Sequence, residues 1–342
     1  MAVKKTLLQD LANELKVSKT LVSMVINGKG DSFGISKKTQ KKVLDKAEEM
    51  KYSANILARA LRTGKSNLIG LLVTDISNPF YSKIAKFIEK ALAEKGYNLM
   101  ICSTDEDISR EESLISLFAN QNLLDGLIIA SASSTSEYFE QEKIDNFPIV
   151  FIDRYLSSLP SYYVVSNNYQ GSYDLADLLI KNGSKNILAL NISPSHISSL
   201  AERVRGFKDC LSKNNIPLNE DNIVEICLTN IKNEVRDVLL KALNSEEKID
   251  AIYALNNNLA IICLEIFEEL NIDYSKKGIQ LASFDDISLF NFVKPSIISV
   301  SQPIEQIGQE SVNLLLEIIN NKTNEYKQFK SIVLPTSIIS RP

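Results

Sequence analysis

From residue 66 onward, short apolar runs recur along the chain, each followed by a stretch with helical periodicity. The runs "LIGLLV", "YNLMICS", "DGLIIAS" and "PIVFID" alternate with segments such as "YSKIAKFIEKALAEKG". A second set follows in sequence: "YYVVS", "NILALNI", "IVEICL", "AIYAL" and "IQLASF". Apolar runs of this length are strands buried on both faces, and intervening helices make the sheets parallel. Two such sets predict an α/β core of two doubly wound lobes over 66–342. A ligand cleft is expected at the C-terminal ends of the strands.

The first 65 residues do not follow this pattern. They hold 14 Lys and Arg against 6 Asp and Glu, whereas the whole chain holds 38 against 42. A basic head on an acidic body suits the head to a phosphate backbone; a solvated charged face is the plainer alternative. Three helices are predicted here. The first follows Thr6, a possible N-cap, and lays Leu8, Leu11, Ala12 and Leu15 in one stripe. The second follows Ser18, faces Val22, Val25 and Ile26 inward and ends at Gly28. The third follows Ser36, with Val43, Leu44, Ala47 and Met50 inward. Two short helices joined by the tight turn "LKVS", then a third, make a helix-turn-helix over 1–52. Its second helix would lie in the major groove. Lys19 and Thr20, in the first turn, can reach base edges; Ser23 and Asn27 are better placed for phosphates. A helical bundle for protein contacts is the alternative. Residues 53–65, within "YSANILARALRTGKS", read as a short hinge helix and linker, marginal alone in water. Leu57 and Leu61 share a face, from which an apolar side chain could wedge into the minor groove.

Residues just past strand ends are the candidates for lining the cleft. Asp153, Asn256 and Asp285 each follow a run, Phe80 and Tyr81 begin the helix after the first strand, and Arg203 begins a helix in "SSLAERVRGF". Carboxylates, an amide, a guanidinium and rings suit a polyhydroxylated ligand. Strand-end Asp and Asn residues can equally be helix caps. Catalysis is not expected. The one histidine, His196, has no second His for a metal site or triad. The carboxylate pair has no known separation to support glycoside hydrolysis, and "TGKS" lacks the Gly and strand of a phosphate loop. The four cysteines form no CxxC. No cofactor and no metal are expected. With no apolar run near membrane-spanning length and no signal peptide, the reading is a cytoplasmic protein.

At this point the residues resemble the lactose/galactose-repressor (LacI/GalR) family of bacterial transcription regulators. The likeness rests on "VSKTLVSMVINGKG", "ISKKTQKKVLDKAEEMKYSANILARALRTGKS", "IGLLVTDISNPFYSKIAKFIEKALAEKGYNLMICSTDED", "AERVRGFKDCL", "IYALNN", "SFDD" and "SVSQPIEQIGQESVNLLL", in that order over nearly the whole chain. The resemblance implies a homodimer on a pseudo-palindromic operator, with a hinge helix inserting Leu61 into the minor groove and Ala58 one turn earlier. It implies a core like periplasmic sugar-binding proteins, in which a small carbohydrate effector controls operator affinity. Arg203, Asn256 and Asp285 carry over as effector-binding residues, and Asp153 and Tyr81 less directly. Ser166 and Ile304 fall near the lobe crossovers. The implied lobes are about 66–165 plus 297–325, and about 166–296 plus 326–342.

The chain departs from the family pattern in places. Lys16 stands where the turn usually has Gly, at a cost of about 1 kcal/mol if the left-handed backbone is kept. Met24 replaces the usual Arg or His, so the candidate DNA contacts are Ser18, Lys19, Thr20, Ser23, Met24 and Asn27. No heptad tail follows the last strand, which favours a dimer. A protein co-regulator in place of the sugar, or a sugar-transport component, are the rival readings.

Overall fold

The computed structural model describes residues 6–50, 52, 65–120, 123–140, 144, 147–194, 197–218, 222–321 and 329–341. The chain divides into two compact units, Met1–Ser66 and Asn67–Pro342.

The first unit packs α1 (Leu8–Leu15), α2 (Lys19–Ile26) and α3 (Lys37–Glu49) around Leu11, Ala12, Val22, Val25, Val43 and Ala47. Thr6 is not the cap of α1. Leu7 holds that position, with its N–H donating to Asp10 Oδ2 at 2.8 Å. The Thr6 hydroxyl instead donates to the Met50 carbonyl at 2.9 Å, satisfying a group at the end of α3. Leu44 also departs from expectation and is 50% exposed. Val43 and Ala47 define the inward stripe of α3, and Leu44 stands about 100° away from Val43 around the axis. Ser18 caps α2 as expected and Ser36 caps α3, accepting the Leu21 and Thr39 N–H groups at 3.1 and 3.2 Å. Gly28, at φ +68°, closes α2: its N–H reaches the Val25 carbonyl and the Lys29 N–H reaches Met24. Lys16 does keep the left-handed turn, at φ 52° and ψ 43°, with its N–H on the Ala12 and Asn13 carbonyls.

The second unit holds two six-stranded sheets. The first comprises β1 (Leu68–Val73), β2 (Asn98–Ser103), β3 (Gly126–Ile129), β4 (Ile149–Ile152), β5 (Tyr163–Ser166) and β11 (Ser331–Leu334), in the order β11-β5-β4-β3-β1-β2. The second comprises β6 (Ile187–Ser193), β7 (Ile223–Cys227), β8 (Ala251–Ala254), β9 (Gln280–Phe284), β10 (Ile298–Ser301) and β12 (Ser337–Ile339), in the order β12-β10-β9-β8-β6-β7. Pairing is parallel except at β12, which runs antiparallel to β10. Each sheet is covered on both faces. Ile69, Leu71 and Val73 pack on one side of the first sheet, and Leu72, Leu127 and Ile129 on the other. In the second sheet, Leu188 and Leu190 face one core, and Ile187 and Ala189 the opposite one.

The connecting helices are α4 (Pro79–Glu94), α5 (Ile108–Asn120), α6 (Asn168–Lys181), α7 (Ser198–Lys213), α8 (Ile231–Asn244), α9 (Asn257–Glu269) and α10 (Ile304–Asn320). The expected lobe limits need correction at two strands, and the grouping of the apolar runs at a third. The "YYVVS" run, first of the second set, pairs as β5 with β4 in the first sheet. Residues 297–301 were expected in the first lobe, but β10 pairs with β9 in the second sheet. Residues 331–334 were expected in the second lobe, but β11 pairs with β5 in the first. Each is a short run at or next to a sheet edge, where the pairing partner and not the run itself decides the sheet. The chain therefore passes between the lobes at 166–168, 301–304 and 334–337.

Candidate functional site

Strand ends of both sheets face one cleft. Asn257 Nδ2 donates to Asn78 Oδ1 across it at 3.1 Å, and the Tyr155 N–H donates to Ser198 Oγ at 2.8 Å. Asp153 follows β4 and Asp285 follows β9, both buried and both left-handed, at φ 62° and 73°. Asp tolerates that backbone better than most residues, and such strain is characteristic of functional positions. Asp153 Oδ2 accepts from the Tyr81 hydroxyl at 2.8 Å and lies 3.6 Å from Arg154 Nε. Burial, followed by the Asp153 charge, holds the Tyr81 phenol far above its ordinary value, so it stays protonated and its O–H is donated to Asp153. Phe80 sits edge-on to Tyr81 at 5.1 Å and belongs to the core of the first sheet.

Arg203 is the sixth residue of α7 and not its first. It is buried under α6, because a Cβ at Gly206 would collide with the Tyr169 carbonyl and only glycine lets these helices meet so closely. Its Nε donates to Asn168 Oδ1 at 2.8 Å and its Nη1 to the Leu255 carbonyl at 2.7 Å. The guanidinium lies 3.7 Å from the centre of the Phe284 ring, and its Nη1 is 3.8 Å from Asp285 Oδ2. Burial pushes the Asp285 carboxyl above the ordinary aspartate value, opposed by the Arg203 charge and by a hydrogen bond from Gln302.

That Gln302 bond, 2.5 Å from Nε2 to Asp285 Oδ1, belongs to a closed ring. Gln302 Oε1 accepts from Ser166 Oγ at 2.6 Å. Asn168 Nδ2 donates to the Ser166 carbonyl at 3.1 Å, and Asn168 Oδ1 returns to Arg203. Ser166, Asn168 and Gln302 all lie at lobe crossovers. The charged pair of the cleft is thus tied directly to the segments about which the lobes must turn.

Asn256 commits its side-chain oxygen locally. Its side chain caps α9, accepting the Leu259 N–H at 2.9 Å, which is the helix-cap alternative. Its neighbour Asn257, 1% exposed, bridges the lobes, donates its backbone N–H to Asp285 and holds a buried Oδ1 without a partner among the described residues. The "LNNN" run offered no means of choosing between them. Gln302 and Asn168 went unassigned because their role is visible only through their partners. Near the mouth, Arg154 grips Glu106 with two bonds of 3.0 and 3.1 Å.

In the first unit, Lys19 and Thr20 are exposed in the first turn of α2, after the capping Ser18. Ser23 and Asn27 bond each other: Asn27 Nδ2 donates to the Ser23 carbonyl at 2.5 Å and to its hydroxyl at 3.2 Å. Met24 is half-buried. Ala58, Leu61 and His196 lie outside the described residues.

Residues 66–336 match the family described as periplasmic binding proteins and sugar binding domain of LacI family. The ribose operon repressor of Halalkalibacterium halodurans is 30% identical over 337 residues, covering 98% of this chain and 96% of that protein. The transcriptional regulator DegA of Bacillus subtilis is 31% identical over 342 residues, covering 98% and 97%. The lac repressor dimer, solved with operator and an anti-inducer, shares the fold with a TM-score of 0.82 at 20% identity, over 99% of this chain and 98% of that one. These curated relatives are named as a repressor and a transcriptional regulator. No helix among the described residues is long and apolar enough to cross a membrane. Two doubly wound lobes around a charged cleft, preceded by a three-helix basic head, make this chain a member of the LacI family.

Proposed function

We propose that the chain is a cytoplasmic, homodimeric transcription regulator that reads a pseudo-palindromic operator through its helix-turn-helix. A small carbohydrate bound between the lobes sets its operator affinity. The observation that carries this reading is the convergence of Arg203, Asp285, Asn257, Asp153 and Tyr81 at the strand ends of both sheets. Carboxylates accept pairs of sugar hydroxyls, and the Arg and Asn side chains donate in fixed directions. A ligand bonded to both lobes favours whichever lobe arrangement makes those bonds, and the operator-binding population shifts by its differential affinity. Lys19 and Thr20 read bases from the first turn of α2; Ser23 and Asn27 contact phosphates; Met24 and the Ala58–Leu61 hinge complete the interface. The relatives' family description as a sugar binding domain, and the ribose operon repressor among them, support the effector class.

The test is operator binding by fluorescence anisotropy while sugars are titrated, with the wild type and Arg203→Ala. A sugar should change wild-type affinity, and the variant should keep operator affinity but lose the response. A variant that responds normally refutes the cleft assignment. Silence of the wild type to every sugar refutes the effector class and favours a protein co-regulator.

A further inference from the structure

Beside the charged cluster lies a cavity of about 180 Å³ between the lobes. It is smaller than the roughly 300–1,000 Å³ of pockets that take a whole drug-sized ligand. It has room for one ring-sized unit. Its walls are the loop after β3, the loop after β4 and the first turns of α7. The last two of these segments also carry Asp153 and Arg203. Arg154 in the wall directly follows Asp153, and Ala201 and Glu202 directly precede Arg203. Ser198, also in the wall, is five residues from Arg203 along α7, about 7.5 Å at 1.5 Å per residue. The cavity thus shares two of its wall segments with the proposed sugar site.

Its chemistry is neutral and rich in hydroxyls. Ser134, Ser157 and Ser158 make no hydrogen bond among the described residues, and each hydroxyl can donate and accept. Leu156 and Ile197 supply apolar wall. The two charged side chains are already compensated. Arg154 is forked onto Glu106 and lies 3.6 Å from Asp153, and Glu202 pairs with Arg205 at 2.7 Å. A phosphate would find no uncommitted cation here, and would lie close to Glu106, Asp153 and Glu202. A sugar ring asks only for hydroxyl partners and a C–H surface. Arg154 also holds a buried Nε without a hydrogen-bond partner among the described residues. The loop after β3 is held in place from below: Glu111 accepts the Ser131 hydroxyl at 2.5 Å and the Ala132 N–H at 2.6 Å.

We propose that the effector is a neutral disaccharide or glycoside, with one ring at Asp153, Arg203 and Asp285 and the second in this serine-lined cavity. The inference rests on the sugar reading of the cleft and narrows it. Because the cavity is bridged by the Tyr155–Ser198 bond between lobes, its occupant favours the lobe arrangement seen here.

Calorimetric titration of the full chain tests the assignment. The probes are maltose, cellobiose, lactose, sucrose, trehalose and melibiose, their component monosaccharides, and glucose 6-phosphate. At least one disaccharide should bind tighter than its components by about tenfold, the yield of one or two net hydrogen bonds. Ala201→Phe should fill the cavity and remove that advantage while leaving monosaccharide binding nearly unchanged. Ser134→Trp, on the exposed loop, makes the same test where the helix substitution harms folding. Tightest binding of a monosaccharide or of glucose 6-phosphate overturns the proposal and leaves the sugar cleft standing, as does equal loss of both ligand classes in the filled variants. Absence of binding by every probe overturns the sugar cleft with it.

Discussion

Gln302→Leu isolates the ring that joins the cleft to the lobe crossovers. The substitution keeps side-chain volume close to that of Gln and removes both polar atoms. Asp285, buried, loses the donor at 2.5 Å, and Ser166 Oγ loses its acceptor at 2.6 Å. A hydrogen bond to a charged group contributes about 1.5–3 kcal/mol and a neutral one about 0.5–1.5 kcal/mol. Leu recovers part of this through apolar burial. A net loss of about 2 kcal/mol is expected, a fall in Tm of about 4–8 °C for a unit of this size. The loss has a pH signature. The folded carboxyl of Asp285 already titrates above its unfolded value of 3.8. The native state therefore binds more protons between the two values, and this group's contribution to stability falls as pH rises through that window. Removing the Gln302 donor raises the folded value further, so the deficit should be larger at pH 7.5 than at pH 4.5. Differential scanning calorimetry of the full chain at both pH values measures it. A Tm within 1 °C of wild type (about half a kcal/mol at most) at both pH values would refute the ring.

Two further outcomes are expected from the head. Lys16→Gly relieves a left-handed non-glycine residue and should stabilise the helical unit by about 1 kcal/mol, read as higher thermal stability of its helices; unchanged or lower stability counts against the strain. Lys19→Ala should weaken operator binding more than binding to unrelated duplex, because a base contact discriminates by about 1–3 kcal/mol whereas a phosphate contact weakens both alike. Parallel losses would assign Lys19 to the backbone.

Much of this molecule was legible in its residue order, and the legible part has a common character. The nine apolar runs all became strands, because a buried strand is a local composition. Ser18 and Gly28 cap their helix as read, because a cap bonds groups two to five residues away. Asp153 and Asp285 could be picked out because strand ends in a parallel sheet face one side. The exposure of Leu44 and the displacement of Thr6 from its cap were misread for the opposite reason. Each was settled by what α3 and α1 packed against.

Chain order and composition alone thus determined the basic three-helix head, the two sets of parallel strands and the pool of polar residues at their ends. Sheet membership of β5, β10 and β11 came only from pairing with strands far away in the chain. So did the contacts that distinguish Asn256, which caps α9, from Asn257, which bonds Asn78 across the lobes, although the two are adjacent residues of one type. The ring through Ser166, Asn168 and Gln302 joins residues as much as 136 positions apart, and the serine-lined cavity lies between two lobes. Local propensity acts over a few residues, whereas hydrogen bonds and cavities are made by whatever the folded chain brings within about 3 Å, and only the tertiary structure supplies that proximity.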